Sequence, residues 1–206
     1  MGFYDRYVLP RMLDFAMRQP PIMKQREKVV PLATGRVLEI GLGSGLNLAY
    51  YDSSKLERLF GLEPSEELRA IAAERAREAG VDVEFVGLRG EEIPMDDASV
   101  DTVVITYTMC TIPDVKTALA EMRRVLRPRG RMLFTEHGVA PDASVARWQD
   151  RINGVWGKIA GGCNLNRDIP ALIDEAGFVS ESLETMYLPG PRPMTFNYWG
   201  SATVAD

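Results

Sequence analysis

The sequence predicts an α/β fold: a doubly wound, mostly parallel sheet of seven strands with a Rossmann-like core, N-terminal helices over one end and a C-terminal antiparallel hairpin. Three observations carry this. From residue 35 onward, strand-like and helix-like segments alternate, which implies right-handed β-α-β crossovers. A glycine-rich loop follows the first strand-like run. The turn PGPRP at 189–193 joins the last two strand-like runs into a hairpin.

Taken in order, residues 36–40 (RVLEI) form the first strand, and 46–51 begin a helix after the glycine loop. Residues 57–62 (ERLFGL) form the second strand. Ser65 caps the helix that follows, with Glu66 and Glu67 in its first turn, where carboxylates meet the positive end of the helix dipole. Leu68, Ile71, Ala72, Ala76 and Ala79 make one apolar face of that helix, and Gly80 stops it. Residues 81–86 are the third strand, and the nearly continuous apolar run 100–106 is a central strand buried on both faces. Val115, Ala118, Leu119, Met122 and Val125 recur at helical spacing until Arg127-Pro128 ends the run, and 130–137 form the fifth strand. A helical stretch at 142–160 and a short helix at 168–176 precede the last two strands, 179–188 and 195–204. Ahead of the sheet, the first thirty residues form two short helices broken by Pro10 and Pro20-Pro21, lying across its face or open edge.

At 206 residues the chain is expected to be one domain: a helical cap over 1–33, a ligand-binding core over 34–137, and helices and a hairpin over 138–206. A domain of this size buries roughly 70% of the surface its unfolded chain exposes, so no metal or disulfide staple is required and no metal site is expected. With 24 Lys+Arg against 29 Asp+Glu, the net charge of -5 repels a polyanion and argues against nucleic acid as a partner. No apolar run approaches the roughly 18 residues that a membrane span needs. Residues 1–9 carry Asp5 and Arg6 and lack the apolar stretch of a signal peptide. Cys110 and Cys163 stand far apart with no C-x-x-C, as expected of reduced thiols in a cytoplasmic protein.

Open α/β sheets bind ligands beyond the carboxyl ends of their strands, where the strand order reverses. The loop there runs from Glu39 to Asn47 and holds Gly41, Gly43 and Gly45 at alternate positions, which lets the backbone turn sharply and approach a ligand closely. A nicotinamide fingerprint needs its third glycine at position 46, where Leu46 stands. The spacing therefore opposes a pyrophosphate cradle and suits a nucleoside with a small zwitterionic tail. Glu63 ends the second strand 18 residues past Gly45, and its carboxylate can accept hydrogen bonds from both hydroxyls of a ribose. A glycine loop alone can be a tight turn without a ligand; Glu63 and the surrounding β-α-β pattern favour the ligand.

The run VLEIGLGSG, then GLEPS, GEEIP, SVDTVVI and EMRRVLRPRGRMLF, resembles the class I S-adenosylmethionine-dependent methyltransferases over roughly residues 36–137. The resemblance implies a methyltransferase fold, S-adenosylmethionine as cofactor, and a small-molecule methyl acceptor. It puts Glu39, Gly41, Gly43, Gly45 and Asn47 in the cofactor loop, Glu63 and Pro64 at the ribose, Gly90 and Glu91 at the adenine, and Thr106 and Tyr107 beneath the methionine end. Many relatives carry Asp where this chain has Arg89, which leaves main chain or Glu91 to meet the adenine.

Methyl transfer from a sulfonium is an in-line displacement, so the acceptor site has to align a lone pair and exclude water. The C-terminal part resembles the methyltransferase-like group that methylates alkyl thiols, through Glu136-His137, Trp148, Trp156 and GGCNLNRD at 161–168. A thiol is the favoured acceptor because its pKa near 8.5 makes the nucleophilic thiolate accessible with modest electrostatic help. His137 is the candidate catalytic base, with Tyr7, Cys110, Trp148 and Cys163 as candidate acceptor-binding residues. Each has a plainer alternative: a histidine bonded to backbone, a small buried cysteine, tryptophans packed in a core. Two rival functions remain open. A phosphatidylethanolamine N-methyltransferase predicts peripheral membrane contact through Phe3, Tyr7, Leu13 and Phe15, and a non-catalytic S-adenosylmethionine-binding protein predicts cofactor binding without turnover.

Overall fold

The computed structural model describes residues 9–87 and 89–204. Seven strands form one sheet: β1 (Gly35–Ile40), β2 (Leu56–Leu62), β3 (Val83–Phe85), β4 (Val100–Thr106), β5 (Leu126–His137), β6 (Phe178–Tyr187) and β7 (Phe196–Val204). Their order is β3-β2-β1-β4-β5-β7-β6. The first five run parallel, and β7 pairs antiparallel with both β5 and β6. The order reverses between β1 and β4, and the glycine loop leaves the sheet at that switch point.

Helices cover both faces. Leu38, Ile40, Val103 and Ile105 pack with Leu119 and Met122 of α4 (Val115–Val125) and with Ile169 and Ile173 of α6 (Ile169–Glu175). The alternate residues Val37, Val104 and Leu133 face the other way, onto Ala72 and Ala76 of α3 (Glu66–Ala79) and onto Val29 at the end of α2 (Pro20–Val29). Period-two alternation on a sheet covered on both sides explains why β4 is apolar throughout. The caps follow the sequence: Ser65 Oγ accepts from Leu68 N–H (3.2 Å), Asp114 Oδ1 from Thr117 N–H (3.1 Å), and Gly80 ends α3 in the left-handed region.

Three boundaries differ from expectation. No α-helix starts at residue 46; the loop closes instead in a 3-10 turn, Leu48–Tyr50. Asn47 is buried there with its side chain committed to Arg26, Glu39 and Thr106, which anchors the chain before a helical turn can propagate. Strand β3 is shorter than predicted, and β5 begins at Leu126 because residues 127–130 bulge out beside β4 before the pairing resumes. Ahead of the sheet, α1 is described over Leu9–Met17, and α2 starts at Pro20 as the Pro20-Pro21 break predicts; residues 1–8 lie outside the described residues. Among the described residues, no helix is long and apolar enough to cross a membrane.

Candidate active site

The carboxyl ends of β1, β2, β4 and β5 open into a cavity of about 980 Å³, roofed by α1 and by the end of α5 (Ala143–Ile159). That volume stands at the top of the roughly 300–1,000 Å³ range of ligand pockets. Gly41, Gly43, Glu63, Pro64, Gly90, Glu91, Thr106 and Tyr107, all predicted for the cofactor, line it.

The glycine loop is held from below and from the side. Gly41 and Leu42 N–H groups both donate to Leu62 O, at 2.9 and 3.0 Å. Glu63 accepts from Gly43 N–H with Oε2 (2.9 Å) and from Ser65 N–H with Oε1 (2.8 Å). Burial raises the Glu63 pKa, and those two hydrogen bonds oppose the rise. At Gly43 (φ +58°) a Cβ would point into open space, so a ligand can approach this backbone. Gly45 serves packing: a Cβ there would lie 2.6 Å from Leu48 Cδ1 and 3.1 Å from the α3 backbone at Ala72. Glu39, Gly45 and Asn47 are absent from the cavity wall. Glu39 accepts from Asn47 Nδ2 (2.9 Å) and from the Tyr51 hydroxyl (2.7 Å), so it braces the loop from beneath. Burial lifts its pKa to about 7.

Arg26 escaped sequence reasoning. It lies in the charged run KQREK of α2, which reads as a solvated face, yet its side chain is buried and lines the cavity. Its Nη1 donates to Asn47 Oδ1 (2.8 Å) and Thr106 Oγ1 (2.6 Å), both neutral, and its Nε is buried without a partner. Its guanidinium stands 5.3 Å from the Tyr107 ring centre. A buried cation with an unused N–H beside a cavity favours an anionic ligand group. The open Gly43 backbone, the Glu63 carboxylate and this cation are the kinds of group that suit S-adenosylmethionine, the cofactor expected from the sequence.

On the wall of the same cavity the structure brings together His137, Cys110 and Cys163, with Cys110 Sγ 3.7 Å from Tyr107 O. His137 ends β5, and its Nε2 lies 3.0 Å from Cys163 Sγ. Trp156 Nε1 donates to the same sulfur at 3.3 Å. Hydrogen bonding with Cys110 and burial push the Cys163 thiol pKa up, against the pull of His137. For His137, burial lowers the pKa and the Cys163 contact raises it, with a net rise. Its Nδ1 is buried without a partner. Glu136 turns its carboxylate to Thr108 N–H (2.7 Å) and Met109 N–H (2.9 Å), and burial lifts its pKa to about 7.

Of the remaining acceptor candidates, Tyr7 lies outside the described residues, as does Phe3. Trp148 is 56% exposed and forms no part of the cavity wall, whereas Trp156 does. Eight residues carry a helix about 80° past two full turns, enough to put one ring in the pocket and the other in water. Leu13 faces the cavity and Phe15 faces solvent.

Residues 38–134 match the family described as a methyltransferase domain. A thiol S-methyltransferase of Homo sapiens, TMT1B, is 33% identical over 158 residues, which is 74% of this chain. The chain spans 64% of that relative's length. A phosphatidylethanolamine N-methyltransferase of Cereibacter sphaeroides is 33% identical over 105 residues, half of this chain and 51% of its own. A crystal structure described as a SAM-dependent methyltransferase from Aquifex aeolicus superposes with a TM-score of 0.63 at 17% identity, covering 93% of this chain and 97% of that one. At that identity the superposition speaks for the fold alone.

Proposed function

From its match to the methyltransferase domain family over residues 38–134, we propose that this chain is a class I S-adenosylmethionine-dependent methyltransferase that transfers a methyl group from that cofactor to the sulfur of a small thiol. When bound, the cofactor supplies an electrophilic methyl on a sulfonium. The residues of this chain do the rest. Glu63 holds the ribose hydroxyls, Gly43 gives the backbone its close approach, and Arg26 pairs the carboxylate at the methionine end. Gly90 and Glu91 flank the base. The acceptor enters from the α1 and α5 side, where Leu13 and Trp156 exclude water from its path.

The observation that carries the thiol reading is the cluster of Cys110, His137 and Cys163 on the cavity wall. It is soft in its donor atoms, and among the described residues no carboxylate oxygen joins it. An amine acceptor arrives as a cation at neutral pH and calls for a carboxylate partner. Similarity to the thiol S-methyltransferase also spans half as many residues again as the phospholipid relative matches, 158 against 105. A reducing compartment such as the cytoplasm keeps both cysteines free, and they are free in the structure.

The test is release of S-adenosylhomocysteine across small thiols, amines, phenols and phosphatidylethanolamine vesicles. Turnover is expected with thiols. Turnover confined to the vesicles would favour a lipid N-methyltransferase, and cofactor binding with no turnover on any acceptor would favour a binding protein.

A further inference from the structure

Cys110 Sγ, the His137 imidazole and Cys163 Sγ offer ligand atoms that all lie within 4.8 Å of one another. Two sulfurs and one nitrogen tetrahedrally placed on zinc, at about 2.3 and 2.0–2.1 Å, stand about 3.5–3.8 Å apart. Closing the present triangle onto an ion therefore takes shifts of about an ångström or less. Nothing in the linear spacing points to such a site, since the donors are separated by 27 and 26 residues.

The cluster is built by backbone, not by chance approach of surface side chains. Cys110 lies just past β4 and Cys163 just past α5, and hydrogen bonds tie these segments together. Asn164 donates to Cys110 O from its backbone N (2.9 Å) and from Nδ2 (3.0 Å). The Arg167 guanidinium donates to Met109 O and to Ile112 O, clamping the same turn. Trp156 Nε1–H steers the Cys163 sulfur from behind. Supporting contacts of this kind orient metal ligands. All three donor residues line the cavity, so a fourth coordination position would open toward the acceptor.

The chemistry is selective. Two thiolates and a neutral imidazole balance a divalent cation, and Cys₂His with an open fourth position is a donor set of catalytic zinc sites. Among the described residues no carboxylate joins the cluster, and magnesium or calcium would need several oxygen ligands. The hydrogen-bonded pair by itself is a poor base, because His137 Nε2 is engaged by the chain's own Cys163.

We propose that Cys110, His137 and Cys163 form a zinc site whose fourth position takes the acceptor sulfur. The proposal rests on the thiol-methyltransferase reading above. On coordination the acceptor's S–H bond is replaced by a zinc–sulfur bond and its proton leaves to water. The zinc-held thiolate then forms a bond to the methyl carbon as the sulfonium C–S bond breaks. The products are a thioether, a weaker ligand that departs, and S-adenosylhomocysteine.

The experiment titrates tag-free, metal-free protein with cobalt(II) and with zinc. One equivalent of cobalt is expected to give a thiolate-to-metal charge-transfer band and intense tetrahedral visible bands, displaced by zinc. The visible bands should shift on adding a small thiol and not its matching alcohol. Cys163→Ser should weaken metal binding more than about a hundredfold, beyond the loss typical of a supporting residue. Its S-adenosylhomocysteine affinity by calorimetry should stay within about threefold, which reports an intact fold. An absent charge-transfer band, an unchanged spectrum in Cys163→Ser, or full thiol turnover by metal-free protein would overturn the zinc site. The last result would leave the thiol reading standing. A thiol-responsive cobalt site in a protein that methylates no thiol would do the reverse, upholding the metal site and removing the thiol-methyltransferase reading.

Discussion

Glu63 joins the glycine loop to the cavity: its carboxylate accepts from Gly43 N–H and Ser65 N–H while lining the pocket where we propose the ribose binds. A charged hydrogen bond to a ribose is worth on the order of 1.5–3 kcal/mol, so Glu63→Ala should weaken S-adenosylhomocysteine binding roughly ten- to a hundredfold without unfolding the chain. Calorimetry showing unchanged affinity would remove Glu63 from the site. Glu39 makes a different prediction. Burial raises its pKa from 4.5 to about 7, so between those values the folded chain holds a proton that the unfolded chain has released. Its contribution to stability is complete below about pH 4.5 and is lost as pH rises through about 7. Glutamine can keep both hydrogen-bonding partners, Asn47 and Tyr51, without a charge. The thermal midpoint of the wild type relative to Glu39→Gln should therefore fall as pH rises across that window; a constant difference would contradict it. The glycine loop and Glu63 were legible because they stand at short, fixed offsets from the ends of β1 and β2. Arg26 was not, because its charged neighbours look like a solvated face and only the tertiary fold buries it.

Among the elements, α1 acts as a strap over the glycine loop. Asp14 accepts from Ser44 Oγ (2.5 Å) and pairs with Arg75 of α3 through both carboxylate oxygens (2.8 and 3.2 Å). Asp14→Ala should loosen the strap, and a partly buried pair of this kind is worth about 1 kcal/mol. Cofactor affinity is expected to drop about fivefold. Amide exchange over α1 should quicken while the sheet stays protected, and uniform exchange across the chain would mean that α1 is no strap. The alternation of strands and helices was readable because buried parallel strands are continuously apolar and the helices repeat at 3.6 residues. The missing helix at residue 46 was not, since a long-range side-chain network around Asn47 outweighs local propensity there.

For the whole molecule, the fold's switch point gathers ligand-binding groups from distant segments into one cavity. Most of the residues proposed for the cofactor stand in short stretches at the ends of β1, β2, β3 and β4 and could be read in one dimension, whereas Arg26 of α2 could not. The proposed acceptor side draws Cys110, His137, Trp156 and Cys163 from three separate segments, and only their folded proximity marks them as a unit. The same proximity separates Trp156 from Trp148, which the sequence treats alike. The acceptor's identity is the claim on which the rest depends. It is tested most directly by supplying 2-aminoethanethiol, which carries a thiol and an amine in one small molecule, with methyl-labelled S-adenosylmethionine, and locating the label in the product by NMR. The account predicts label on sulfur, as the methyl thioether with its amine unmodified. Label on nitrogen, or accumulation of S-adenosylhomocysteine with no labelled thioether, would contradict it.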